Sequence, residues 1–147
     1  MKTDWQELVS ESYYQTISSI EEKIKLYDNE DALLGLHYLY DNMAKKDKRE
    51  FQSFLILAMM HIIKWNIQPH KKSRSWLNTI YNARDEMEIL QKDVPSITKE
   101  YIRSIWDESV EKANVKAKRE TGLRFDMQNL TWQDVFEKEY TLEEDND

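Results

Sequence analysis

Apolar residues return every three or four positions along most of the chain, the spacing of one helix face, while β-branched residues are scattered rather than set in alternating runs. Trp5, Val9, Tyr13, Ile17, Ile20, Ile24 and Tyr27 form the first stripe and predict a helix from Thr3 or Asp4 to about Tyr27. Glu7, Glu11, Glu21 and Lys25 mark its solvent side. Asp28-Asn29-Glu30-Asp31 reads as a polar break. Leu33, Leu36, Tyr40 and Met43 then make one face of a second helix, Asp31 to Ala44, with His37 and Asp41 beside it. Lys45-Lys46-Asp47 is expected to interrupt that helix before a third begins at Asp47 and runs to Ile67. Nearly every position from Phe51 to Ile63 is apolar or small, which predicts a helix covered on several sides and central to the packing.

Gln68-Pro69 closes the third helix, because a proline disfavours helical geometry in the residue before it. After the basic loop His70-Lys71-Lys72, Ser73 is placed to cap a fourth helix that turns Trp76, Ile80, Ala83, Met87 and Leu90 inward. Asp93-Val94-Pro95-Ser96 predicts a turn, and a fifth helix is expected from Ser96 or Thr98 to about Glu120, with Ile102, Ile105, Trp106, Ser109, Val110, Ala113 and Ala117 inside. Gly122 suits a left-handed C-cap. Leu123 to Leu130 reads as irregular. Thr131-Trp132-Gln133-Asp134 resembles a capping box that opens a short last helix carrying Trp132, Val135 and Phe136.

At 147 residues the chain is expected to form one domain over 1–140, with an acidic, frayed tail over 141–147. Two glycines and two prolines are few enough breakers that long helices are the natural outcome, giving an all-α bundle of about five long helices and a short C-terminal one. The absence of cysteine removes disulfides, thiolate metal sites and cysteine nucleophiles. The start lacks the apolar segment of a secretory signal, and the most apolar run, Phe54 to Ile63, is too short to cross a bilayer. A cytoplasmic protein with no membrane partner is therefore expected. Charge is uneven: residues 1–50 carry 7 basic and 11 acidic side chains, 51–84 carry 5 and 0, and 85–147 carry 9 and 17. A basic middle in an acidic chain reads either as an anion-binding patch or as cations that pair with both flanks, and the second is favoured.

The chain has no phosphate-binding glycine loop, no nucleophile elbow and no His-Glu-x-x-His, and it lacks the Glu-x-x-His repeats of carboxylate-bridged metal sites in bundles. No cofactor, metal ligand or catalytic residue is expected. His61, Lys64, Trp65 and Gln68 fall on one helical face at the edge of the apolar stripe, so their polar groups need partners elsewhere in the chain. Asp41 or Glu120 is expected to accept from His61, with Arg84 sharing the acid, in a network that fixes how the helices meet. His61 is the best single candidate for proton transfer, and an enzyme using it is the third reading, but the structural reading is preferred. A second candidate is the turn at Lys71, Lys72, Ser73, Arg74 and Trp76, where a capped helix start and several cations would suit a phosphate or an RNA backbone.

The residues His61-x-x-Lys64-Trp65-x-x-Gln68-Pro69, Ser73-x-Ser75-Trp76 with Ile80 and Arg84, Pro95-Ser96, and Glu120-Thr121-Gly122-Leu123 together resemble the bacterial domain-of-unknown-function family twenty-nine. The likeness spans most of the chain and implies an all-helical domain from a bacterium, with no established activity. Two places depart from the family pattern. Asn129-Leu130 stands where a Cys-Pro is expected, and the acid near Asp41 is usually a glutamate, which favours a structural part for both places. The expected function is a non-enzymatic interaction module that binds a protein partner, self-association included. The alternative is RNA or phosphate-ligand binding at the basic turn.

Overall fold

The computed structural model describes residues 2–142, so most of the acidic tail expected at 141–147 lies outside the described residues. The described chain is all-α: α1 Trp5–Glu11, α2 Tyr13–Lys25, α3 Asn29–Ile67, α4 Arg74–Asp93, α5 Lys99–Ser104 and α6 Trp106–Thr121, with a 3-10 turn at Pro69–Lys71 and a π-turn at Gln133–Glu137. It divides into two compact units, Met1–Asp47 and Lys48–Asp147, and α3 contributes to both.

Three expected boundaries are corrected. The first predicted helix is two, because Ser12 takes extended backbone (φ −160°, ψ 124°). Its own N–H closes α1 on the Leu8 carbonyl, and its hydroxyl accepts from the Gln15 amide at 3.2 Å to open α2. The second and third predicted helices are one. Lys45-Lys46-Asp47 contains no glycine or proline, and a short polar run in water costs a helix little. The fifth is split at Ile105, one residue after Ser104 turns its hydroxyl back onto the Tyr101 carbonyl, a local bond that competes with the helical ladder. Ser73 caps α4 as expected, Gly122 adopts φ 69° at the end of α6, and Thr131 and Asp134 exchange the two reciprocal bonds of a capping box at 2.9 and 3.1 Å.

In the first unit the core is Trp5, Val9, Ile20, Ala32 and Leu39, with Leu8 and Tyr13 packed against it. Gly35 allows the closest approach, since a Cβ there would stand 2.8 Å from the tip of the Trp5 indole and 2.9 Å from Ile20. The indole is fixed, donating to Asp31 at 2.8 Å, and Asp31 also accepts from Thr3 and pairs with Lys23 at 3.2 Å. Tyr13 donates to Asn42 at 2.8 Å.

The buried face of α3 in this unit is therefore Ala32, Gly35 and Leu39, and the more obvious apolar stripe at Leu33, Leu36, Tyr40 and Met43 is exposed. On α2, Thr16 and Ile20 are buried, while Ile17 and Ile24 of the predicted stripe face solvent, as does Tyr27 beyond the helix end. The second unit has the larger core: Phe51, Leu55, Met59, Ile62 and Ile63 of α3 meet Ile80, Ala83 and Met87 of α4, Ile102 of α5, Val110, Ala113 and Ala117 of α6, and Val135 and Tyr140 beyond them.

Candidate functional site

The end of α3, the start of α4 and the last turn of α6 bring together most of the residues singled out in the sequence. Lys64 is buried, its ammonium 2.6 Å from Glu120 Oε1 and 4.5 Å from the centre of the Trp76 ring. Burial strips the cation of water, so one carboxylate and an aromatic face must replace it. Trp65, one position on, is covered from two sides: the Lys72 ammonium lies 4.9 Å over its ring, and Tyr140 meets it edge-on at 5.8 Å. Gln68 is buried at the helix end, its N–H donating to the Lys64 carbonyl and its own carbonyl accepting from Lys71, so the chain turns without leaving those groups bare.

His61 and Arg84 do not share the acid expected for them. The His61 Nδ1 donates to the Leu57 carbonyl, one turn back, at 3.0 Å, and Glu120 is taken by Lys64. Burial of the imidazole lowers its pKa below the ordinary histidine value, and the Lys64 cation acts in the same direction against Glu120. Arg84 turns to the C-terminal segment. Its Nε donates to the Val135 carbonyl at 2.6 Å and an Nη to the Asp134 carbonyl at 3.2 Å, and the guanidinium carbon lies 5.3 and 5.4 Å from the centres of the Tyr81 and Tyr140 rings. Backbone carbonyls suffice because Arg84 faces the end of the π-turn, where such carbonyls lack a helical partner. Asp41 lies in the first unit, exposed on α3, and the network in the second unit is built without it.

At the basic turn, the Ser73 hydroxyl accepts from the Trp76 amide at 3.2 Å, while Lys72 and Trp76 are engaged with Trp65 and Lys64. Lys71 and Arg74 remain exposed.

Two further anchors are invisible in the apolar periodicity. Buried Asn114 donates to the Val110 and Gln128 carbonyls at 2.9 and 3.1 Å and accepts from the Gln128 amide at 2.9 Å, holding the irregular return against α6 as a strand neighbour would. Its signal was an amide side chain among Val110, Ala113 and Ala117 on an inward face. Tyr81 and Tyr140 form the other: the Tyr81 hydroxyl accepts from the Tyr140 amide at 2.9 Å and donates to its carbonyl, and the Tyr140 hydroxyl donates to Asp134 O at 2.7 Å. Burial, with Asp134 nearby, pushes the Tyr140 hydroxyl up to about 12. Nothing local in sequence joins residues so far apart.

Residues 39–145 match the family described as domain of unknown function DUF29. The chain belongs to it. No curated protein and no solved structure matches the chain. The DUF29 match begins within α3 and takes in every residue of the described junction, whereas α1, α2 and the first turns of α3 precede it. In this DUF29 chain the junction's buried cation, the Trp76 indole and the Arg84 guanidinium all meet groups of the same unit. Among the described residues no helix is long and apolar enough to cross a membrane, and no cluster of three metal-binding side chains occurs.

Proposed function

We propose that this chain is a non-catalytic helical module that binds another protein, through the open face of its first unit. One observation carries the reading. Of the fifteen large hydrophobic side chains exposed among the described residues, eleven fall between Tyr14 and Met43. Scattered exposed apolar residues are normal, but a concentration of this kind marks an interaction surface. The junction in the second unit supports the same reading, since its polar groups are spent on internal contacts. A photo-crosslinking residue in place of Tyr40, in the native host, should give discrete protein adducts that are absent when the same residue replaces exposed Val115 on α6. Adducts equal at both positions, or adducts to nucleic acid alone, would overturn the proposal.

A second reading rests on exposed Lys71 and Arg74 beside the start of α4: a phosphate-bearing ligand or RNA. With Lys72 and Trp76 already engaged, few groups are left for it. Binding that does not weaken with salt, or that survives Lys71→Ala combined with Arg74→Ala, removes it.

A further inference from the structure

The open face of the first unit has a symmetry that bears on what covers it. Around α3, Leu36, Tyr40 and Met43 lie about a quarter turn or more from Gly35, by 100° per residue. They are on the flank away from Asp31 and Asn42, where the bonds from Trp5 and Tyr13 hold the preceding helices. Ile17 and Ile24 are two full turns apart on α2 and border the same flank. Leu33, Leu36, Tyr40 and Met43 follow the three-four-three spacing of a heptad seam. Counted from Tyr38 they sit five before, two before, two after and five after.

A stripe that reads the same in both directions can face itself. Reversed end to end across a two-fold axis level with Tyr38, Leu33 meets the second copy's Met43 and Leu36 meets the second copy's Tyr40. The charges have the matching order. Asp28 and Glu30 precede the stripe, Lys45 and Lys46 follow it, and all four are exposed. Asp28 and Lys46 are eighteen residues apart, five whole turns, and lie on the line of α3 between Gly35 and Leu39, so it is the net charge of the two ends, and not a pair beside the seam, that is ordered. The Lys46 ammonium lies 5.8 Å from the centre of the Tyr13 ring. Antiparallel pairing places the acidic end of each copy beside the basic end of the other, and parallel pairing places like beside like.

The area is also adequate. Ile17, Ile24, Leu33, Leu36, Tyr40 and Met43 are each 44–58% exposed. At about 200 Å² for a large side chain they offer on the order of 600 Å² per chain, most of the roughly 800 Å² that a standard interface takes from each partner once the flanking residues are added.

We infer that this face pairs with a second copy of the chain, the two α2–α3 hairpins meeting antiparallel as a four-helix bundle. This names the partner of the surface proposed above and rests on that reading. The test is sedimentation equilibrium of the full chain across concentration, with Leu36→Glu, Tyr40→Glu and two single-cysteine variants, Leu33→Cys and Met43→Cys, which are clean because the chain has no cysteine of its own. The inference expects a reversible dimer that either glutamate weakens at least about tenfold, as loss of a central apolar contact does. It also expects a disulfide when the two cysteine variants are mixed, and none when Leu33→Cys is oxidised alone. The cysteine result decides the matter even if a glutamate variant fails to fold. A monomer at all concentrations, a dimer indifferent to Leu36→Glu and Tyr40→Glu, or ready self-linking of Leu33→Cys overturns it. Protein adducts at Tyr40 that persist for a monomeric chain would leave the interaction module standing with a different partner, and loss of both would remove the two together.

Discussion

Lys64 and Glu120 are unequally placed, the lysine side chain 5% and the glutamate 51% exposed, so each depends on the other to a different degree. Removing the acid leaves an ammonium in the core with only the Trp76 face beside it, whereas removing the lysine leaves a carboxylate that water can reach. Glu120→Gln should therefore lower stability by on the order of 2 kcal/mol, and Lys64→Met by less, in urea titrations at pH 7. Equal losses, or a larger loss for Lys64→Met, would show that the ion pair is not what holds this corner. Asn114→Leu strands the Gln128 amide and carbonyl together and should cost about 2–4 kcal/mol in the same titrations. Tyr140 makes a pH prediction. Its hydroxyl is held at about 12 against an ordinary 10, so the folded state keeps a proton that the unfolded chain gives up. Its contribution is complete below pH 10 and is lost as pH rises toward 12, on the order of 2 kcal/mol in all. The difference in unfolding free energy between wild type and Tyr140→Phe should shrink over that interval and stay constant from pH 7 to 9.

At the level of elements, periodicity reported the existence of the helices well and their faces less well. The caps at Ser73 and Thr131, the left-handed Gly122 and the central run of α3 were legible because each depends on neighbours in sequence. The polar run at Lys45-Lys46-Asp47 was misleading, since polarity alone does not end a helix that lacks a breaker. The stripe from Leu33 to Met43 was misleading in a more useful way: apolar periodicity says that a face wants covering, not what covers it. In the junction, Lys64, Trp65, Gln68 and Arg84 were recognisable as groups needing partners. Arg84 takes backbone carbonyls and His61 its own helix, choices that only the path of the C-terminal segment and the ring's position decide. Gly35, by contrast, gave no sign of its role. Alanine there gains helix propensity worth about 1 kcal/mol but meets an indole that its bond to Asp31 cannot release. Overpacking of this kind costs about 1–3 kcal/mol, so Gly35→Ala should be neutral to destabilising, never stabilising, in thermal melts. A raised melting temperature would mean that Trp5 moves more freely than its contacts indicate.

Across the molecule, the two units differ in how much apolar surface they bury, and the difference falls along one uninterrupted helix. Among the described residues the first core holds five buried apolar side chains and the second twenty-one, so opening the first exposes far less surface and should cost less free energy. A helix is held mainly by the face it packs, not by its own ladder. The amides of α3 should therefore exchange with solvent at graded rates: fast between Ala32 and Met43, slow between Leu55 and Ile63, with no break in the helix to account for the change. Hydrogen exchange at dilute chain concentration measures this directly, and uniform protection along α3 would show that the helix opens only as a whole. The same measurement at high concentration bears on the second copy, because pairing that binds only the closed form stabilises it by mass action. Protection between Ala32 and Met43 should then rise with concentration while that between Leu55 and Ile63 stays fixed. A rise in both segments would place the added contact elsewhere, and a rise in neither would mean that the apolar face of the first unit stays open.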